Sequence, residues 1–146
     1  IKARGELRHN PAHLIDIVPT VLELAGAQKP AVFRGQPVPP APGRSLVPAL
    51  ARDGTVAHDF LWWEHEGNRA IRAGDWKLVA LAKGGWELYD LASDRGESQN
   101  LAAARPEKAR ELEALWTRHA EETRRLALTD PAPATEGKKK GKRAKE

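Results

Sequence analysis

FLWWEHEGNRAIRAGDWKLVALAKGGWELYDL, residues 60–91, holds four of the five tryptophans and the only tyrosine of a 146-residue chain. Its apolar residues come in short alternating runs. Phe60 and Trp62 alternate with Leu61 and Trp63; Ala70 to Arg72 forms a second run; Trp76, Leu78 and Ala80 alternate with Lys77, Val79 and Leu81; Trp86 and Leu88 alternate with Glu87 and Tyr89. Period two sends successive side chains to opposite faces of a pleated strand, so each run reads as a strand. Between the runs stand Glu66-Gly67-Asn68, Ala73-Gly74-Asp75 and Lys83-Gly84-Gly85, each with a glycine for the positive φ of a tight hairpin. Four strands joined by such short turns make an antiparallel meander, which needs a cover on one face to be stable in water.

The cover lies downstream. In QNLAAARPEKARELEALWTRHAEETRRLAL, Pro106 suits the first turn of a helix and Glu107 favours its positive N-terminal end. Ala109, Leu112, Leu115, Trp116 and His119 recur at three- and four-residue steps, one apolar stripe, with Lys108, Arg110, Glu111, Glu113 and Arg118 on the wet side. The fold class predicted is α+β: a four-stranded antiparallel sheet packed by one long C-terminal helix.

Upstream, HLIDIVPTVLELAGA predicts a short helix. Asp16 is expected to be its N-cap, accepting from first-turn amides, and Pro19 falls early enough to be tolerated. Val18, Val21, Leu22 and Ala25 are expected to form a buried face docked on a core, with Glu23 outward and Gly26 ending the helix. Residues 27–44 carry five prolines and predict an extended surface connection. Ser45 is expected to cap a second short helix that reaches Leu50 and admits Pro48 in its first turn. Residues 1–10 read as a loop arriving from something upstream; the start in mid-pattern, without Met, is that expected of a piece of a longer chain.

A sequence pI near 9.6 suggests a polyanion partner until the charge is located. Residues 136–146, EGKKKGKRAKE, carry a net +4, which is the net charge of the whole chain, so residues 1–135 are formally neutral. Residues 127–146 are expected to be a disordered basic tail, open to nonspecific attraction by polyanions and without a specific nucleic-acid partner. No apolar run approaches the roughly 20 residues that span a bilayer, and no signal segment opens the chain. The absence of cysteine excludes disulfides and thiolate metal sites from this segment.

Most candidates for chemistry fail on pattern. Ser45 is explained as a cap, Ser93 and Ser98 as turn residues, and no serine sits in a nucleophile elbow. His9 and His13 are four apart, but Pro11 stands between them and no third ligand follows, which argues against a metal site. Asp90, Asp94 and Glu97 miss the spacing of a calcium loop and read as turn formers. Lys77 looks motif-like in GDWKLV, yet on an alternating strand it reads as a structural or surface lysine. The stretch from Trp63 to Arg69 crowds charged, polar and aromatic side chains onto a hairpin, where ligand contacts are often placed on a rigid scaffold. The alternative there is a solvated turn with an Arg69–glutamate ion pair.

Four blocks in fixed order then carry a resemblance: HLIDIVPTVLELAG at 13–26, PGRSLVPAL at 42–50, WEHEGNRAIRAGDWKLV at 63–79 and ELYDLASDRGESQNLA at 87–102. Together they resemble the C-terminal part of arylsulfatase-type sulfatases of the alkaline phosphatase superfamily, over about residues 5–122. The resemblance implies a four-stranded sheet with one long helix, following a larger alkaline-phosphatase-like α/β domain. It places the end of that main domain and a connection at 1–58, the small subdomain at 59–126 and the tail at 127–146. It also implies sulfate-ester hydrolysis through a formylglycine, made from the cysteine or serine of a C/S-x-P-x-R motif, whose hydrate attacks sulfur beside a calcium ion. That motif is absent here, so no catalytic residue and no metal ligand is assigned to this chain; both cofactors belong upstream. What the resemblance lends this segment is narrower: His65, Asn68 and Arg69 as contacts to the organic part of a sulfate-ester substrate, and the upstream main domain as a partner. The compartment stays open, although relatives are commonly exported. Competing readings are a phosphoester or phosphonate ester hydrolase of the same superfamily, and a noncatalytic binding module.

Overall fold

The computed structural model describes residues 4–129; of the tail expected at 127–146, residues 127–129 are helical instead, and the rest lies outside the described residues. The sheet follows the alternation. β3 (Leu61–His65), β4 (Asn68–Ala73), β5 (Trp76–Ala80) and β6 (Glu87–Asp90) pair antiparallel in chain order, after a small hairpin, β1 (Val32–Phe33) with β2 (Gln36–Pro37). Register puts Trp62, Ile71, Leu78 and Leu88 in one row across all four strands. Ile71, Leu78 and Leu88 are fully buried beneath Leu112, Trp116 and Ala120 of the long helix α3 (Pro106–Thr129). Each such side chain contributes about 1.5–3 kcal/mol by leaving water, so this row and its helix are the core.

Trp62, Trp76 and Trp86 pack against the same cluster. Trp62 stacks on Trp116 at 5.8 Å, and Trp86 meets Trp116 edge-on at 5.7 Å. Two of the indole N–H groups find acceptors: Trp116 Nε1 donates to Trp63 O at 3.2 Å and Trp86 Nε1 to Glu113 at 2.8 Å, whereas the buried Trp62 Nε1 has no partner among the described residues. Trp63 departs from the others. By parity it lies on the opposite face, 38% exposed, with its ring 5.1 Å from that of His13.

Residues upstream of the sheet form a layer stitched by side chains onto backbone. α1 (Ile17–Leu24) follows a 3-10 turn at Leu14–Asp16, and α2 (Val47–Ala51) packs against it. Arg8 donates from Nε to Ala49 O at 2.7 Å and from Nη2 to Leu50 O at 3.2 Å, satisfying carbonyls that the end of α2 leaves open. Gly26, at φ 62°, ends α1: Ala27 N donates to Leu22 O and Gly26 N to Glu23 O, the paired bonds of a Schellman ending.

Three expectations are corrected here. Asp16 makes no side-chain capping bond to α1: its carboxylate accepts instead from His13 N, three residues back, and from groups distant in sequence. The expected buried face of α1 is largely uncovered among the described residues: Val18 and Val21 are 58% and 57% exposed, Ala25 is exposed and Leu22 alone of the four is half-buried, while Ile17 and Leu24 beside them are 51% and 65% exposed. Residues 27–44 are not one extended connection, since Arg34 (φ 50°) and Gly35 (φ 80°) turn β1 back on β2. The proline of β2 stands on a two-stranded ribbon where no inner ladder bond is lost. Ser45 partly meets its expectation: α2 begins after Leu46, yet Ser45 Oγ still accepts from Val47 N at 3.2 Å.

Candidate functional site

The hairpin tip between β3 and β4 is a two-residue turn, Glu66 (φ 50°) and Gly67 (φ 81°), both left-handed as the tightest hairpin loop demands. That turn fixes the register, with His65 opposite Asn68 and Glu64 opposite Arg69. Directly paired residues share a face, so the three residues expected to meet a ligand are divided. His65 and Asn68 stand on the open face, Arg69 on the face that α3 covers.

Their surroundings differ too. Arg69 lies over the Trp86 ring at 4.6 Å and donates to Gly84 O at 3.3 Å and Leu81 O at 3.5 Å. Asn68 Oδ1 accepts from Ala82 N at 3.1 Å. Together they clamp the tip to the loop that joins β5 to β6. Glu64 is taken by Arg124 of α3 at 2.8 Å, rather than by Arg69. His65 alone is free for a ligand: its side chain is 84% exposed and its ionic neighbour is Glu66, 3.9 Å away.

The open face of the sheet carries two adjoining cavities. The first, about 280 Å³, is mostly apolar, with Val56, Leu61 and Pro11 in its walls and His58 and Arg72 at its edge. The second, about 510 Å³, is polar and is walled by Trp63, Arg72, Lys77, Arg95 and Glu97. His9 and Arg72 belong to both, so the two meet. Lys77 pairs with Glu97 at 2.5 Å, and Arg72 Nε donates to Gly74 O at 2.9 Å. Tyr89 closes the far side of this face. Its hydroxyl donates to Glu87, and that bond, with burial, pushes its pKa up to about 12.

Beside these cavities lies the most buried polar group of the described residues. Asp16 is 0% exposed. Its Oδ1 accepts from Arg44 N at 2.8 Å; its Oδ2 accepts from His13 N at 2.8 Å and from His58 Nε2 at 2.9 Å. Burial alone would raise the Asp16 pKa, but the amides of Arg44 and His13 and the His58 ring outweigh it, and the group is held below its ordinary value. An ionised carboxylate only accepts, so Nε2 of His58 carries the hydrogen. Thr20 extends the knot by donating to Asp16 O at 2.6 Å and accepting from Leu46 N at 2.9 Å. Gly43 is required there, since a Cβ would stand 1.9 Å from Ile15 O. His13 Nδ1 accepts from Ile15 N at 3.3 Å, and its buried Nε2 has no partner among the described residues. No group of three His, Cys, Asp or Glu that would hold a metal ion exists among the described residues, and no helix there is long and apolar enough to cross a membrane.

Sequence reasoning missed both the knot and the second cavity. Asp16 looked like a local cap because its partners lie 28 and 42 residues away. Arg72 opposite Lys77 was legible, because a two-residue turn centred on Gly74 sets that register.

Comparison with known proteins now bears on this geometry. A model of the family described as N-sulphoglucosamine sulphohydrolase, C-terminal, matches residues 2–125. Among solved structures, Ps i-CgsB superposes with a TM-score of 0.56 at 22% identity, over 77% of this chain and 24% of that one. BT4656, solved in complex with its substrate D-glucosamine-2-N,6-O-disulfate, gives 0.51 at 26% identity, over 80% of this chain and 24% of that one. A Bacteroides thetaiotaomicron 6S-sulfatase from a glycosaminoglycan locus gives 0.52 at 24% identity, over 68% of this chain and 23% of that one. This chain thus spans about a quarter of the length of each.

Proposed function

The chain belongs to the N-sulphoglucosamine sulphohydrolase C-terminal family, and on that premise we propose that the protein it serves hydrolyses sulfate esters of carbohydrates. The observation that carries this reading is the family match over residues 2–125, which takes in the upstream layer, the sheet and most of α3. The likeness to BT4656, with its disulfated glucosamine, favours a sulfated amino sugar over a simple aryl sulfate.

The proposed chemistry is formylglycine attack on sulfur beside a calcium ion, and the residues here do not fit either group. The C/S-x-P-x-R motif is absent from the sequence, and the described residues offer no metal-holding cluster. The proposal therefore assigns both to an upstream α/β domain, whose end would be residues 1–58. The uncovered apolar face of α1 supports that division, because exposed apolar area of this kind normally marks a contact surface.

Within 59–126 the hairpin tip is the part proposed to meet the organic portion of the substrate. His65 is the direct contact; Asn68 and Arg69 hold the tip against the 81–86 loop and set its position. The test is the upstream sequence, then turnover. A C/S-x-P-x-R motif followed by faster hydrolysis of the sulfate than of the phosphate ester of one phenol supports the proposal. A missing motif, or phosphate preference, refutes it.

A further inference from the structure

We propose that the polar cavity on the open face of the sheet is a binding site for an anionic saccharide unit, separate from the hairpin tip. This rests on the sulfated-carbohydrate reading above for the class of ligand. The geometry that points to it is an electrostatic conflict. Arg72 and Lys77 are direct cross-strand partners on β4 and β5, and like charges so placed destabilise a sheet. Arg95 adds a third cation from the loop after β6, with no hydrogen bond or ion pair among the described residues. Arg72 pairs loosely with Asp75 at 3.9 Å and Lys77 closely with Glu97 at 2.5 Å, so two carboxylates face three cations and Arg95 is left as the excess positive charge.

The cavity is built rather than incidental. Glu97 sits at φ 54°, a conformation that costs a non-glycine residue energy, and backbone strain of this sort gathers at functional sites. Asp94 enforces it by accepting from Ser98 N at 2.8 Å and Gln99 N at 2.9 Å. The result is a set of charged donors, the carboxylates of Asp75 and Glu97 and the half-open ring of Trp63 around about 510 Å³, within the range of small-molecule sites. A sulfate or carboxylate of the sugar would lie between Arg72, Lys77 and Arg95, whose N–H groups make strong charge-assisted bonds to such oxygens. The sugar ring would stack on Trp63, and Glu97 would accept from a hydroxyl.

The experiment is titration of the chain with glucosamine-2-N,6-O-disulfate, and separately with unsulfated glucosamine, following the five tryptophan indole N–H signals by nuclear magnetic resonance. Trp63 is assigned through Trp63→Phe. The expected result is saturable movement of the Trp63 signal by the disulfated sugar alone, with affinity reduced tenfold or more in Arg95→Ala. Arg95 is exposed, with no hydrogen bond or ion pair among the described residues, so this variant should keep its fold, which the other four indole signals report. The same titration in the full-length protein decides the question if the 146-residue chain gives no dispersed spectrum. An unmoved Trp63 signal, or equal affinity in wild type and Arg95→Ala, overturns the site. Turnover of sulfate esters by the full-length protein is measured apart: its absence would remove the sulfatase reading while leaving a positive titration standing.

Discussion

Replacing Asp16 with Asn should weaken the upstream layer, which the carboxylate fastens at three points. The carboxylate takes Arg44 N on one oxygen, and His13 N with His58 Nε2 on the other. An amide side chain of the same shape has one accepting oxygen, so either orientation turns an NH₂ group toward at least one backbone N–H 2.8 Å away. Each hydrogen bond to a charged group contributes about 1.5–3 kcal/mol, and a buried donor left without an acceptor costs about 1–3 kcal/mol. Together these give an expected loss of about 3–5 kcal/mol. Against a total of about 5–15 kcal/mol, that is a large fraction. Urea unfolding followed by tryptophan fluorescence should show the midpoint lowered by roughly 2 M with the slope unchanged. A loss below about 1 kcal/mol would mean that the three donors find water or other acceptors as readily, and would refute the view of Asp16 as the fastening of this layer.

Gly43→Ala should act on the same knot, because its new methyl collides with Ile15 O and displaces the neighbouring Arg44 N. In a double-mutant cycle its effect and that of Asp16→Asn should be clearly less than additive; full additivity would separate them. Acidification gives a third test. Asp16 is held below its ordinary value of 3.8, so its contribution is fully present above that pH and disappears as the pH falls through the lowered folded value. Asp53 and Asp94 are also held low by accepted amides, so the measurement is the difference between wild type and Asp16→Asn, which should shrink steadily below about pH 4. On the proposed sulfatase reading, His65→Ala in the full-length protein should raise KM for sulfate esters several-fold with kcat little changed, whereas Arg69→Ala should also lower the melting temperature, since it removes a cation from the Trp86 ring. Unchanged kinetics in both, across several substrates, would return the tip to a solvated turn.

The sheet and α3 were legible because their signals are local. Alternation of period two, a glycine in each turn and a stripe of Ala109, Leu112, Leu115 and Trp116 depend on neighbours a few residues apart. The same locality explains the failures. Asp16 fits an N-cap by type and position, and nothing within four residues of it reveals His58 or the Arg44 amide. Val18 and Val21 show the spacing of a buried face, but periodicity says which side of a helix is apolar, not what lies against it. Among the described residues Val18 and Val21 stay exposed and only Leu22 of that face is half-buried. Arg34 and Gly35 signal a tight turn that the surrounding prolines disguised. The candidate residues His65, Asn68 and Arg69 were chosen as a cluster in sequence, and a two-residue turn converts that cluster into two opposite faces.

That division assigns different work to the two sides of one sheet. The side under α3 is occupied by the row from Trp62 to Leu88, and its charged members, Glu64 and Arg69, are engaged by Arg124 and Trp86. A ligand arriving there would have to displace core contacts worth several kcal/mol. On the other side Arg72, Lys77 and Arg95 gather positive charge around a cavity, and His65 projects from the same face one hairpin away. Any direct substrate role for Arg69 therefore requires it to leave the Trp86 ring, while His65 and the cavity require no such rearrangement. The open face of the sheet, more than the turn at its tip, is where recognition by this segment is physically easiest.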